Sequence, residues 1–416
     1  MVEAVRLDPA IKKARVLALT TSYPLRPGSS AGVFVQSLYR GLSVHCSIDV
    51  VCPAGIDSAA VVTDATGGDI RIHATRYAPR KWRTLAQQSG GVVSAVRRAP
   101  WRALLLPVML GALFWRCLRC AAGADLIHAN WAICGVMAGV AGRLRGKPVV
   151  TTLRGSDVAR AARSRLDCLI LDLAVRYSRI VICVSEAMAK RLRQQYPERA
   201  SDVHACLNGV DERFLEIERL PATDDVLRVL AVGNLIHLKG FDVLIEAVSR
   251  SRHRAQMGVC VVGSGPEHEA LMALANSHGV ASRFDFAGSV PVEAMPARFS
   301  AADVFVLSSR SEGRPNVVAE ALASGLAVIS TDLDGVRGMV DDGDNGWLVP
   351  AGNADALAAA LDAAFEDRME LQRRSERARA TARRRIGTWA DTARCYNALF
   401  QVAVGSHAQR HPSCAE

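Results

Sequence analysis

The sequence lacks a long uninterrupted apolar run. The longest run, Ala103 to Trp115, contains 13 residues, is bounded by Arg102 and Arg116, and includes Pro107. A helix that spans a bilayer needs about 20 consecutive, mostly apolar residues. This run is therefore predicted to be too short to cross a membrane.

Features of secreted proteins are scarce as well. Glu3 and Asp8 precede any apolar run, which is not the pattern of a secretory signal. The 11 Cys are scattered without regular spacing, so we expect buried thiols in a reducing compartment rather than a disulfide framework. Both observations predict a cytoplasmic protein.

Metal-binding patterns are also few. Cys117 and Cys120 have C-x-x-C spacing in an apolar helical context, but no second Cys or His pair follows at zinc-ligand spacing. Asp332-Leu333-Asp334 has the letters of a D-x-D metal motif, yet it follows a predicted strand at a turn. We expect no metal and no other cofactor; the alternative is a metal or redox role for the Cys pair.

Acidic residues are missing between Asp69 and Asp125, where the chain has ten Lys and Arg. Such a block predicts an anionic partner. Apolar residues alternate with these cations, which favours an anionic membrane surface over nucleic acid. The alternative is a solvated basic face over a buried helix. The cations are Arg71, Arg76, Arg80, Lys81, Arg83, Arg97, Arg98, Arg102, Arg116 and Arg119, and the apolar residues are Trp82, Trp101, Leu104 to Leu106, Leu110, Phe114 and Trp115.

Strand and helix signals alternate along the whole chain, in two series. This alternation predicts an α/β protein in which helices cover both faces of parallel sheets. Two series predict two Rossmann-like domains whose sheets face each other across a cleft, with ligands beyond the carboxyl ends of the strands. The predicted strands are Arg15–Thr21, Ile48–Cys52, Leu126–His128, Pro148–Leu153 and Ile180–Val184, then Leu227–Val232, Gly258–Val262, Phe284–Ala287, Val304–Leu307 and Ala327–Thr331.

The domain boundary is predicted at the turn-forming cluster Asn208-Gly209-Val210-Asp211. Residues 1–207 then form the first domain and residues 208–384 the second. Residues 385–416 form a last helix, from about Thr388 to Val402, followed by a tail. That helix has an apolar stripe that needs a surface to bury it.

The sharpest local pattern runs from Ser308 to Gly325. A strand ends at Leu307, a loop presents Glu312 and Gly313, and Pro315 marks the predicted first helical position. A helix N-terminus of this kind offers free N–H groups and a positive dipole end, which suits a diphosphate. Glu312 then meets sugar hydroxyls and Glu320, inside the helix, meets ribose hydroxyls. Two unrelated surface carboxylates are the alternative interpretation.

The second half closely resembles the retaining family 4 glycosyltransferases of the GT-B fold. Their pair of Glu separated by seven residues matches Glu312 and Glu320 within E-G-R-P-N-V-V-A-E-A-L-A-S-G. Further similar segments are V-G-N-L-I-H-L-K-G-F-D from Val232, V-V-G-S-G-P-E from Val261, A-A-D-V-F-V-L-S-S from Ala301 and N-G-W-L-V-P from Asn345. The first half resembles the family more thinly.

The resemblance implies roles for residues of both halves. It places Gly32 in the loop after the first strand, near the donor diphosphate, and Arg154 to Asp157 near the transferred sugar or acceptor. It also implies that Lys239 stabilises the departing diphosphate without a metal and that Gly313 and Asn316 contact the donor. The last helix is expected to cross back to the first domain.

Two positions depart from the family pattern. Asn234 occupies a position where the family has an Arg that binds the diphosphate, so we expect Arg310 or Arg314 to supply the missing charge. Arg154 stands where many relatives have His, and it can contact the sugar, a phosphate or an anionic acceptor. The alternatives are a solvent-facing side chain for either Arg310 or Arg314 and a structural ion pair with Asp157 for Arg154.

The resemblance implies a retaining hexosyl or glycosyl transfer from a UDP- or GDP-linked sugar to a glycan or polyprenyl-diphosphate-linked acceptor. Envelope or exopolysaccharide assembly at the inner face of the cell membrane is the expected setting, with no nucleic acid partner. A non-catalytic nucleotide-sugar-binding scaffold is the alternative. A dinucleotide oxidoreductase is disfavoured because Gly263-Ser264-Gly265-Pro266 does not continue to the third Gly of G-x-G-x-x-G.

Overall fold

The structure is a computed structural model that describes residues 13–25, 32–56, 61–63, 69–86, 92, 95–96, 99–219 and 225–410. Glu3, Asp8, Arg97 and Arg98, which the sequence analysis used, lie outside these ranges.

The first sheet has the strand order β3-β4-β2-β1-β5-β6-β7-β8, and all neighbours are parallel except β3, which is antiparallel to β4. Its central strand β1 pairs through Val16 with Ile48 on one side and with Leu126 on the other. Helices on both faces bury the strands, which explains their continuous apolar runs. The strands are β1 (Ala14–Leu19), β2 (Cys46–Pro53), β3 (Val61–Thr63), β4 (Ile70–Thr75), β5 (Leu126–Asn130), β6 (Val149–Leu153), β7 (Ile180–Cys183) and β8 (Val203–Ala205).

The second sheet is parallel throughout, in the order β11-β10-β9-β12-β13-β14. All ten predicted strands are present, and the prediction of two facing Rossmann-like sheets is confirmed. The sequence missed β3, β4, β8 and β14 because they are short or alternate polar with apolar residues near a sheet edge. The strands here are β9 (Leu227–Val232), β10 (Met257–Val262), β11 (Phe284–Gly288), β12 (Val304–Leu307), β13 (Ala327–Thr331) and β14 (Gly346–Val349).

Helices connect the strands and cover both sheets. In the first half of the chain they are α1 (Val33–Leu42), α2 (Leu105–Cys120), α3 (Ala132–Arg145), α4 (Ser156–Ala161), α5 (Arg165–Tyr177) and α6 (Glu186–Gln195). In the second half they are α7 (Glu212–Leu215), α8 (Phe241–Arg250), α9 (His268–Ser277), α10 (Met295–Ser300), α11 (Asn316–Ala323), α12 (Ala354–Glu366), α13 (Arg368–Thr381) and α14 (Trp389–Arg410).

The segment around α2 corrects the prediction about its length. Short 3₁₀ turns extend it to Pro100–Gly123, 24 residues, and among the described residues this helix is long and apolar enough by composition to cross a membrane. One face, which includes Leu105 and Leu113, is buried against the first sheet. The opposite face exposes large apolar side chains such as Leu104 and Trp115.

The last helix, α14, packs on the first domain. Tyr396 and Phe400 are buried in one cluster with Tyr39 of α1, and Thr152 of β6 donates a hydrogen bond to Tyr396 Oη at 3.2 Å. A disulfide joins Cys395 of this helix to Cys206, which corrects the expectation of thiols throughout. The apolar stripe of the last helix is thus buried against the first sheet.

Phe400→Ala is expected to lower the free energy of unfolding by about 3–5 kcal/mol, because a fully buried ring leaves a cavity between α14 and the first sheet. Val402→Ala on the same helix is the control, since its side chain is exposed, and should change stability by less than about 0.5 kcal/mol. Urea denaturation measures both. Similar small losses for the two variants would show that α14 does not anchor the first domain.

Candidate active site

The predicted site residues come from loops at the carboxyl ends of strands in both sheets. Arg154 follows β6, Asn234 and Lys239 follow β9, and Glu312 follows β12. Carboxyl ends of parallel strands are where open α/β sheets bind ligands. Both sheets therefore direct their functional loops into one cleft.

Two of these loops touch through their glycines. A Cβ built on Gly155 would lie 2.7 Å from Cα of Gly313, a separation that real side chains do not adopt. Gly155 also has φ +91°, a conformation that favours glycine. The backbone after β6 thus reaches the backbone after β12 with no side chain between them, which closes this end of the cleft.

Lys239 and Glu312 form an ion pair at the mouth of α11. Lys239 Nζ lies 2.5 Å from Glu312 Oε1, and both side chains are largely buried. Ser309 Oγ donates a second hydrogen bond to the same carboxylate oxygen at 2.7 Å. The structure therefore brings together the two residues predicted to be catalytic, and each balances the charge of the other.

The two candidate replacement cations have different surroundings. Arg310 forms two hydrogen bonds to the carboxylate of Asp242, at 2.8 and 2.6 Å, so its charge is paired. Arg314 is buried and donates from Nη1 to the carbonyl of Asn208 at 2.8 Å, while its Nη2 has no hydrogen-bond partner among the described residues. Burial lowers the pKa of Arg314 to about 10. Asn234, in the loop after β9, is half-buried.

Arg154 is held by amides rather than by a carboxylate. Its Nε and Nη2 donate to Asn130 Oδ1 at 3.2 and 2.6 Å, and Nη1 donates to Asn208 Oδ1 at 3.0 Å. The guanidinium also lies 5.0 Å from the ring centre of Phe34. Phe34 is in the first turn of α1, whose N-cap is Gly32. Since every side-chain partner is neutral, the charge of Arg154 is not neutralised by these contacts.

Asp157 does not form the ion pair with the side chain of Arg154 that was the alternative interpretation. It accepts a hydrogen bond from the backbone N–H of Arg154 at 3.1 Å, and its ion pair is with Arg160 at 3.3 Å. Burial raises the pKa of Asp157. This carboxylate therefore shapes the loop that carries Arg154, and the structural ion-pair interpretation of Arg154 is wrong.

A buried polar network, missed in the sequence, supports Arg154 from below. Asn130 Nδ2 donates to Tyr39 Oη at 2.7 Å, and that hydroxyl lies 3.0 Å from His128 Nδ1. Burial and the nearby Arg154 lower the pKa of His128 to about 3, so this imidazole is neutral at physiological pH. The sequence feature that could have indicated this network is the pair of polar residues, His128 and Asn130, near the end of the otherwise apolar strand β5.

Helix α11 places the remaining predicted residues. Asn316 is its first residue, one position after the predicted start at Pro315, and accepts a hydrogen bond from Asn208 Nδ2 at 3.0 Å. Desolvation, with a smaller contribution from the charge of Asp211, raises the pKa of Glu320 to about 7. Glu320 lies one turn inside the helix, whereas Glu312 lies in the loop before it.

No group of three or more His, Cys, Asp or Glu in the described part of the chain is arranged to hold a metal ion. Asp332 and Asp334, from the D-x-D letters, both pair with Arg337 at a turn after β13. Cys117 of the C-x-x-C pair is buried, and burial raises its pKa to about 12.

Two family models match adjacent parts of the chain. The model described as Glycosyltransferase Family 4 matches residues 31–214, and the model described as Glycosyl transferases group 1 matches residues 212–381. Their common boundary falls within a few residues of Asn208, where the first series of strands ends.

Curated relatives and a solved structure are similar to this chain. It is 32% identical over 203 residues to the lipopolysaccharide core biosynthesis glycosyltransferase LpsE of Rhizobium meliloti, covering 48% of this chain and 58% of LpsE. It is 30% identical to the putative colanic acid biosynthesis glycosyltransferase WcaL of Salmonella typhimurium, covering 57% of this chain and 61% of WcaL. The chain thus spans less than two thirds of either relative. Anabaena Alr3699/HepE in complex with UDP and glucose has the same fold, with a TM-score of 0.71 at 19% identity, covering 93% of this chain and 100% of HepE.

Glu320→Gln is expected to raise stability more at high pH than at low pH. The folded pKa of about 7 lies above the usual value of about 4.3, so ionisation of this carboxyl disfavours folding. That penalty is absent below the unfolded pKa and complete above the folded one. We expect the variant to gain about 1–2 kcal/mol near pH 8.5 relative to its effect near pH 5.5. Urea denaturation at the two pH values measures this, with the exposed Glu376→Gln as control; a gain independent of pH would contradict it.

Proposed function

Since this chain belongs to the group 1 glycosyltransferases of the GT-B fold, we propose that it transfers a sugar from a nucleoside diphosphate to a glycan acceptor with retention of configuration. LpsE and WcaL are named for lipopolysaccharide core and colanic acid biosynthesis, and HepE was crystallised with UDP and glucose. These names support a nucleoside diphosphate sugar as donor and a role in envelope or exopolysaccharide assembly.

The Lys239–Glu312 ion pair is the observation that carries the proposal. When a donor binds, Lys239 moves its charge to the diphosphate, and Glu312 is freed to accept hydrogen bonds from the sugar hydroxyls. The N-terminus of α11 adds its free N–H groups and positive dipole end. The contacts that Lys239 and the helix N-terminus make with the diphosphate strengthen as negative charge grows on this leaving group, which is the condition for catalysis.

In the proposed reaction, the bond between the anomeric carbon and the diphosphate oxygen breaks, and its electron pair remains on that oxygen. The acceptor hydroxyl oxygen forms the new bond to the anomeric carbon, and its proton passes to the departing phosphate. The residues of this chain supply charge and orientation only, so the proposal needs no metal and no cofactor. Glu320 accepts from ribose hydroxyls one helical turn away.

We assign the missing diphosphate cation to Arg314 rather than Arg310. Arg310 is paired with Asp242, whereas Arg314 has a buried donor without a partner among the described residues. An unsatisfied buried donor costs roughly 1–3 kcal/mol, so a phosphate oxygen that reaches it would be stabilised. Asn234 adds a neutral donor beside the diphosphate.

Arg154 is proposed to bind the transferred sugar or an anionic group of the acceptor. Its loop contacts Gly313, one residue from Glu312, and its charge has no carboxylate partner among the described residues. Asp157 acts through the backbone of this loop, so its role is to position Arg154. Gly32 brings the start of α1, with Phe34, to the same edge of the cleft.

The outer face of α2 is proposed to lie on an anionic membrane, where a polyprenyl-diphosphate-linked acceptor would be found. Trp101 and Trp82 are half exposed, and their rings meet edge to face with 6.4 Å between the ring centres. Trp115 is 60% exposed. Aromatic side chains interleaved with Arg are suited to the membrane interface. The proposed setting is the inner face of the cell membrane.

A nucleotide-sugar-binding scaffold is the second candidate, and Asn234 is the observation that favours it. The family has a cation at that position. A scaffold that lacks it would bind the donor but would not transfer the sugar.

Glu312→Gln is expected to lower turnover of the preferred donor by about 100- to 1000-fold, because an amide cannot replace the carboxylate in its ion pair or on the sugar. The preferred donor is identified first, by measuring how much UDP, GDP and their sugars stabilise the protein against thermal unfolding. A ligand at about 100 times its Kd adds roughly 2.7 kcal/mol to the free energy of unfolding. Transfer of labelled sugar is then measured. The exposed Glu376→Gln should keep wild-type turnover.

Nucleotide stabilisation of the Glu312→Gln variant shows whether its site is intact. Binding by both proteins with equal, background turnover would support the scaffold and reject the enzyme. Near-normal turnover of the variant would reject the role given to Glu312.

Trp101→Ala/Trp115→Ala is expected to weaken binding to phosphatidylcholine vesicles containing phosphatidylglycerol by about tenfold or more, because two interfacial anchors are lost. Leu166→Ala/Leu169→Ala is the control, since it removes two exposed apolar side chains from α5. Co-sedimentation at low and high salt measures both, and wild-type binding should fall with salt. Equal binding by the two double variants would contradict the assignment to α2.

A further inference from the structure

A second cavity, of about 650 Å³, lies in the first domain away from the cleft. It is lined by the end of α3, the starts of β6 and β7, the end of α5, and Arg199, Asp202 and His407. Arg154 lies beyond the opposite end of β6. Because a five-residue strand is roughly 16 Å long, this cavity is separate from the candidate active site.

Five cationic side chains line the cavity, against the single carboxylate of Asp202. That carboxylate is already used: it accepts from Arg199 Nε at 2.9 Å and lies 3.8 Å from Arg179 Nη1. The other cations are Arg143, Lys147 and Arg176. The lining therefore has more positive charge than its own acidic group can balance.

Capping hydrogen bonds do not account for these three cations, although Arg143 and Arg176 lie in the last turns of α3 and α5, where the helix dipoles favour positive charge. The carboxyl end of α5 is already capped by Arg199, whose Nη1 and Nη2 donate to the carbonyls of Val175 and Ser178 at 3.1 and 2.6 Å. Arg143 stacks on the ring of Tyr177 at 3.8 Å. Lys147 and Arg176 make no side-chain hydrogen bond or ion pair with any residue that the structure describes. Like charges gathered without partners destabilise one another unless an anion joins them.

We propose that this cavity is a binding site for a phosphate-bearing anion. A guanidinium held in place by an aromatic ring offers a fixed fork for phosphate oxygens, and Arg143 has that arrangement, with Lys147 and Arg176 as further donors. The phosphate has two possible sources, a lipid headgroup and a soluble diphosphate. Arg145 of α3 donates to the carbonyl of Leu118 at the end of α2, so the end of α3 that lines the cavity contacts the end of α2.

The test is calorimetric titration with inorganic pyrophosphate. Because the cleft also accepts a diphosphate, all proteins carry Lys239→Gln to weaken that site. Lys147→Gln/Arg176→Gln should weaken the remaining binding by about tenfold or more. The matched control, Lys190→Gln/Arg191→Gln, also removes one Lys and one Arg, both exposed on α6 and without side-chain partners in the described part of the chain. Equal affinity in the two double variants would overturn the proposal.

Two further measurements complete the test. Thermal melts show whether the cavity variant is folded, and Arg176→Gln alone, at an exposed position, is the milder replacement if it is not. In the Lys239 wild-type background, sugar transfer should be unaffected by the cavity changes, which separates this site from the proposed function.

Vesicles containing phosphatidylglycerol distinguish the sources of the phosphate. Loss of both pyrophosphate and vesicle binding in the cavity variant supports a lipid headgroup. Loss of pyrophosphate binding alone supports a soluble diphosphate. Unchanged binding of both ligands rejects the site.

Discussion

The approach of Gly155 to Gly313 is the contact on which the cleft depends. It joins the loop after β6 to the loop after β12 through backbone alone, because no side chain fits between them. Arg154 and Glu312 each lie one residue from this contact, on opposite sheets. A side chain at either glycine would separate the loops and, with them, the two halves of the site.

A chain of amide and hydroxyl contacts extends the same constraint into both domains. It runs from Tyr39 through Asn130 to Arg154, then through Asn208 to Asn316 at the start of α11. Every partner of the guanidinium is neutral, so the chain orients Arg154 without cancelling its charge. Asn208 lies within a few residues of the boundary between the two family models and contacts residues on both sides of it, so it is a second link between the two halves.

Sequence patterns predicted this fold well because buried parallel strands are continuous apolar runs. Short or amphipathic strands such as β4 carry a weaker pattern and were missed. For the site, the sequence indicated Lys239 and Glu312 separately, but their ion pair joins residues 73 positions apart, and only the packed strands β9 and β12 bring them together. Arg310 and Arg314 look equivalent in the sequence; Asp242, far from both along the chain, distinguishes them.

The charges of the cleft can be compared with those of the proposed donor. Lys239, Arg154 and Arg314 bring positive charge, Glu312 brings one negative charge, and Asp157 is already paired with Arg160. Glu320, which the proposed function also places on the donor, has a pKa of about 7 and adds a partial negative charge near neutral pH. The cleft therefore has an excess of about one to two positive charges, which a sugar-linked diphosphate would neutralise. In the proposed function Asn234 costs the site little, because Arg314 would supply from the loop after β12 the cation that Asn234 lacks after β9.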